Sequence, residues 1–287
     1  PASLVFHAGL NPDALTNALC FVLIASMLRL VFTKQKVSKQ ALFLVAISLI
    51  ILLNKVVYAP LILLTFFIPT EKFGSKRNYI FINSGILFLH ALVLIGWYQF
   101  TSDLFIPYDE YHVDFREDKQ LNPEVNPLAQ LAFIINQPLK FMQIFYDSYL
   151  DTFPWTLKHY FGKFGWEANY LPQWNIDLLF YFSLLLSWLD CSQKVQLKWR
   201  QRLGFIGIGL VMVICFSVVI YMQWSPPEHP TIRSLSGRYF IPIFPLFYLA
   251  MYQPRKWIKE HYLKVSIGVI LLMSHLLFLV EIIERYY

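Results

Sequence analysis

The chain has 287 residues, of which 57% are hydrophobic, 18% aromatic and only 15% charged, and its mean hydropathy is +0.49. A soluble domain carries about 25% charged residues, and one core of this length could not bury so much apolar surface. Soluble globular, disordered, coiled-coil, collagen and disulfide-scaffold classes are therefore excluded, a multi-pass membrane protein remains, and the net charge of +6 is too scattered between apolar runs to mark a nucleic-acid binder.

A spanning helix needs about 20 apolar residues. The apolar runs are 14–32, 41–53, 57–69, 79–98, 176–189, 203–223, 237–252 and 265–282, which predicts about eight passes. Loop 33–40 carries Lys34, Lys36 and Lys39, and loop 70–78 carries Lys72, Lys76 and Arg77 against Glu71. By the positive-inside rule both loops are cytoplasmic, so 41–53 and 57–69 form a hairpin of two short helices. Loops 190–202 and 253–264 are also basic; the four together sum to +11 and leave −5 for the rest of the chain. The expected fold is an all-α integral membrane protein, a polytopic bundle of about eight transmembrane helices in one domain over 1–287. Because the sequence starts at Pro1, in mid-pattern and without a signal peptide, it reads as an N-terminally truncated fragment.

The outer segment 99–175 holds an acidic part, with Asp103, Asp109, Glu110, Asp114, Glu117, Asp118 and Glu124, and then a basic, aromatic part. In 138–151 the polar residues Lys140, Gln143, Asp147 and Asp151 recur at spacings of 3, 4 and 4 among apolar ones, and Pro138 suits a first helical turn. That pattern predicts an extracytoplasmic amphipathic helix lying along the membrane surface. Trp155, Tyr160, Phe161, Phe164, Trp166, Tyr170 and Trp174 follow; they form either an interfacial belt or the lining of a carbohydrate or lipid groove. Cys20, Cys191 and Cys215 show no CxxC spacing and read as packing residues, with neither disulfide nor metal site. His90 and His275, in apolar runs, read as buried, hydrogen-bonded histidines.

The informative residues are cations on the outer side. Lys55 stands at the tip of the short hairpin, Arg238 opens the run 237–252, and Arg233 lies five residues upstream. A charge at the bilayer boundary is expensive unless it is paired or snorkels. These cations either meet headgroups and acids of 99–175, or share one anion, such as the phosphate of a lipid carrier. Asp13, before the first apolar run, reads as a helix-start residue stabilised by the dipole. No P-loop, GxSxG or HExxH is present.

Several segments together carry a resemblance: Gly9-Leu10-Asn11-Pro12-Asp13-Ala14-Leu15, Asn54-Lys55-Val56-Val57-Tyr58-Ala59-Pro60, Lys72-Phe73-Gly74-Ser75, Phe164-Gly165-Trp166 with Leu171-Pro172, and Gly237-Arg238-Tyr239-Phe240-Ile241-Pro242. In order and spacing they resemble a family of bacterial multi-pass membrane proteins of unknown function, itself similar to the GT-C superfamily of glycosyltransferases. The resemblance implies a cytoplasmic-membrane enzyme that moves a sugar from a polyprenyl-phosphate carrier to a surface glycan or glycolipid on the extracytoplasmic side. It implies lipid-phosphate contacts at Lys55, Arg238 and Arg233, and substrate-groove candidates at Asp13, Tyr58, Trp166, Tyr170 and Tyr239. The donor would be the lipid-linked sugar itself, with no other cofactor evident; the main catalytic carboxylate would lie upstream of Pro1. Non-catalytic alternatives are a lipid-carrier binding protein or transporter of the same fold, or a structural membrane subunit.

Overall fold

The computed structural model describes residues 12–34, 37, 39–102, 104, 106, 110–114, 124–164, 169–189, 196–253 and 259–286. Of the residues singled out above, Pro1, Gly9, Leu10, Asn11, Lys36, Asp103, Asp109, Glu117, Asp118, Gly165, Trp166 and Cys191 lie outside them. Nine α-helices are described: α1 (Pro12–Phe32), α2 (Lys39–Asn54), α3 (Lys76–Ser102), α4 (Pro127–Asn136), α5 (Pro138–Leu157), α6 (Gln173–Trp188), α7 (Trp199–Trp224), α8 (Phe244–Met251) and α9 (Glu260–Tyr286). Four of them, α1, α3, α7 and α9, contain stretches long and apolar enough to cross a membrane. Their large apolar side chains face outward, as with Phe81, Phe88 and Ile95 on α3, where lipid rather than water must meet them.

The hairpin expected at 41–69 is present, but its second arm is not an α-helix. Val56–Phe67 is a 3-10 helix of 12 residues with Pro60 inside it. Proline lacks the N–H for an i−4 bond and crowds that carbonyl. The tighter helix also rises more steeply, so 12 residues reach about 24 Å, the same height as the 16 residues of α2 at about 1.5 Å each. A second correction concerns 237–252, expected as one pass. It consists of a 3-10 turn, Gly237–Phe240, and the eight-residue α8. Pro242 and Pro245 remove the backbone donors that would have joined them.

At one end of the bundle, described residues of two basic loops cap helix ends. The Lys72 ammonium bonds the carbonyls of Leu30, Val31 and Thr33 at the end of α1, where the helix dipole favours a cation. Arg202 does the same for Ala250 at the end of α8, at 3.0 Å. Gly204 brings these two regions together: a Cβ there would stand 2.0 Å from the ring of Phe67. Interhelical hydrogen bonds add specificity where lipid gives little drive to associate. His90 Nε2 meets Ser48 Oγ at 2.9 Å, Tyr149 meets Ser217 at 2.8 Å, Ser183 meets Tyr248 at 2.9 Å, and Asn175 donates to Ser274 at 3.2 Å. His275, expected buried, is half-buried, and its Nδ1 lies 2.6 Å from the Leu271 carbonyl.

At the opposite end α4, α5 and loop 225–236 form a layer over the bundle. Asn126 caps α4 by accepting from Ala129 N at 3.0 Å. Ser148 on α5 accepts from Ile232 N at 2.9 Å, and Gln130 on α4 accepts from Glu228 N at 2.9 Å, pinning the loop. The segment 138–151 is helical as expected, and the helix continues to Leu157 before a π-helical turn, Lys158–Gly162. It has three faces. Phe141, Ile144 and Ser148 are buried; Gln143, Asp147 and Asp151 are exposed polar groups; Leu139, Met142, Tyr146, Leu150 and Phe153 form an exposed apolar stripe at helical spacing.

Candidate functional site

The site forms where the first turn of α1, the hairpin tip and the Gly237–Phe240 turn converge. Asp13 sits in the first turn of α1, where the dipole favours a carboxylate. Lys55 follows α2 in an extended conformation and immediately precedes the 3-10 arm. Its ammonium pairs with Asp13 Oδ1, and Arg238 Nε stands 3.8 Å from Asp13 Oδ2. Two cations separated by 183 positions in the chain therefore share one carboxylate.

Tyr239 organises the pair. Its ring lies 5.1 Å below the Lys55 ammonium and 4.9 Å from the Arg238 guanidinium, and its hydroxyl accepts from Arg238 Nη2 at 2.9 Å. Its carbonyl accepts from the hydroxyl of buried Tyr58 at 3.0 Å. On the next turns of α1, Thr16, Asn17 and Cys20 are buried below Asp13. Asn17 Nδ2 and Arg238 Nε are buried with no hydrogen-bond partner among the described residues.

The arginine turn is seated on the end of α5. A Cβ at Gly237 would lie 2.0 Å from the Thr156 carbonyl oxygen and 2.5 Å from Tyr160 N, so only glycine permits this approach. Just before the turn, Ser236 Oγ meets His159 Nδ1 at 3.0 Å, while His159 Nε2 meets the Tyr170 hydroxyl at 3.1 Å. The imidazole stacks on Tyr170 and against Trp155. Burial, then the charges of Lys163 and Arg238, push its pKa down to about 4. Burial and the Arg238 charge likewise lower Lys163. Lys163, in the two-residue strand β1 (Lys163–Phe164) paired with β2 (Asn169–Tyr170), is thus a third cation within electrostatic reach of Arg238.

Of the residues singled out from sequence, Asp13, Lys55, Tyr58, Arg238 and Tyr239 are brought together, and Tyr170 joins through His159. Arg233 is exposed on loop 225–236 and its guanidinium meets His229 Nε2 at 2.9 Å. Sequence reasoning missed Lys163 and His159; the basic character of the stretch after the acidic part was their one signal. Two cations against one carboxylate leave an excess of positive charge at a half-buried site. That arrangement attracts an anion and offers it a planar guanidinium fork beside a compact ammonium charge. No three His, Cys, Asp or Glu side chains gather as metal ligands among the described residues.

A neutral His159 predicts that the layer of α4, α5 and loop 225–236 is acid-sensitive. An unperturbed histidine titrates near 6.5, and here the folded state resists protonation down to about 4. Between those values the unfolded chain binds more protons, so stability rises with pH there and falls on acidification. The melting temperature is expected to drop between pH 7 and pH 5 more steeply in the wild type than in His159→Gln. Parallel melting curves for the two would refute the assignment.

The bundle of apolar helices defines the class: this is an integral membrane protein. The chain belongs to the family described as Predicted membrane protein (DUF2142), whose profile matches residues 1–247. No curated protein and no solved structure matches it.

Proposed function

We propose that the protein is a GT-C-like glycosyltransferase of the bacterial cytoplasmic membrane, taking a sugar from a polyprenyl-phosphate carrier on the extracytoplasmic side. The observation that carries this reading is the convergence of Lys55 and Arg238 on Asp13. A second observation agrees with a lipid-borne donor. An apolar cavity of about 330 Å³ lies beside the arginine turn, lined among others by Phe21, Tyr160 and Ile241. Through Phe21 it adjoins another of about 380 Å³, which follows Ile24, Ala25 and Leu28 down α1. From Asp13, Phe21 lies about 12 Å and Leu28 about 22 Å along the helix, a depth that suits an isoprenoid tail.

In the reaction, the acceptor hydroxyl oxygen bonds to the anomeric carbon as the bond from that carbon to the carrier phosphate breaks. The proton of the hydroxyl passes to a carboxylate. The phosphate departs as an anion onto the cations, which stabilise the charge as it develops. A binding role without transfer is the second reading, favoured by the double ion contact that already engages Asp13.

The test is binding of polyprenyl phosphate to the purified protein in detergent. Arg238→Ala is expected to weaken it roughly 10- to 100-fold, since charge-assisted hydrogen bonds contribute about 1.5–3 kcal/mol each. Arg238→Lys should recover part of the loss. Unchanged binding in Arg238→Ala would overturn the site. Binding with no transfer from a radiolabelled polyprenyl-phosphate sugar to glycan acceptors would leave the second reading.

A further inference from the structure

At the basic end of the bundle, away from the site above, lies a cavity of about 500 Å³. One wall is a single face of α6, with Tyr181, Leu184, Leu185 and Trp188; the other is Ala250 and Met251 at the end of α8, with Arg202 of α7. The four α6 positions cover about 10 Å of depth along the helix. Its size is within the roughly 300–1,000 Å³ of ligand pockets, and its lining is apolar apart from the cation and Gln253. Tyr181, Leu185 and Trp188 are all exposed.

We infer that this groove seats one anionic phospholipid, its acyl chain along Tyr181–Trp188 and its phosphate on Arg202. Three features argue for a lipid of that charge. The groove runs along the depth of an outward-facing helix and has one cation near its end. Arg202 is held in place by its bond to the Ala250 carbonyl at 3.0 Å, which engages Nη1 and leaves further guanidinium donors. Lys198 and Arg200 lie in the same short segment and raise the local positive potential. Trp188 completes the seat, because an indole at the headgroup level is a membrane-interface anchor. The inference does not depend on the carrier-lipid reading.

The experiment reconstitutes the full chain in phosphatidylcholine vesicles that contain, at equal mole fraction, either phosphatidylglycerol or phosphatidylcholine with brominated acyl chains. The signal is the quenched tryptophan fluorescence that Trp188→Phe abolishes. The wild type should favour phosphatidylglycerol about fivefold, as expected for one cation at an anionic lipid surface. Arg202→Gln should bring the ratio to about one, while Arg202→Lys keeps it above one. Leu185→Phe, at an exposed position that tolerates bulk, should narrow the groove and reduce quenching by both lipids. An unchanged ratio in Arg202→Gln, or unchanged quenching in Leu185→Phe, would overturn the assignment.

Discussion

Gly237→Ala is expected to remove at least about 3 kcal/mol of stability, at the upper end of what one added methyl does in a packed interior. The methyl would lie 2.0 Å from the Thr156 carbonyl oxygen, 2.5 Å from Tyr160 N and 2.9 Å from the His159 carbonyl carbon. All three are backbone atoms, so no side-chain rotamer can relieve the contact. Relief requires the Gly237–Phe240 turn to lift off the end of α5, carrying Arg238 and Tyr239 away from Asp13. Stability and, on the function proposed above, polyprenyl-phosphate binding should therefore fall together. Gly207→Ala is the control: nothing stands within 4 Å of its Cβ, and alanine within a helix gains roughly 0.5–1 kcal/mol over glycine. Thermal unfolding in a mild detergent measures both. If Gly237→Ala melts with Gly207→Ala, the close approach does not exist.

Asp13→Asn is expected to destabilise the protein by about 3 kcal/mol, because it leaves Lys55 and Arg238 without their shared carboxylate. The Asp13 and Lys55 side chains are only 12% and 25% exposed, so water screens Lys55 poorly, whereas Arg238, at 38%, is screened more. Added inorganic phosphate should raise the melting temperature of this variant more than that of the wild type, since an anion can then occupy the carboxylate's place. Removing a cation as well, in Asp13→Asn with Lys55→Met, should recover much of the lost stability. An equal response of wild type and variant to phosphate would mean that the cluster is an ordinary ion pair.

Composition makes the membrane class legible in the sequence, and charge alternation assigns Lys55 and Arg238 to the same boundary. The reason is physical: a positive charge away from the basic loops is costly enough to need a partner. What could not be read was the partner. Asp13 and Lys55 are 42 residues apart, and no local period links residues at that distance. Asp13 also had an adequate local account at the head of its helix, which concealed its tertiary one. Hydropathy over 237–252 outweighed Pro242 and Pro245 and suggested a single span, although the prolines determine the backbone there. Pro60 similarly carried the signal of the 3-10 arm. Lys163 stood among aromatics with no pattern of its own; only the pairing of β1 with β2 and the burial around Arg238 gave it meaning.

The equal height of α2 and the 3-10 arm has a consequence for how the chain enters the membrane during synthesis. A segment released alone into lipid must be long enough to span it, as α1, α3, α7 and α9 are. Neither hairpin arm reaches about 30 Å of hydrocarbon by itself, and the Lys55 at their junction opposes translocation. The two arms are therefore paired as one hairpin, and the preceding helix carries the counter-ion for their junction. Asp13 is already in place on α1 when Lys55 emerges, so the counter-ion precedes the charge it neutralises. The Asp13–Lys55 pair thus ties α1 to the hairpin tip across 42 positions of the chain.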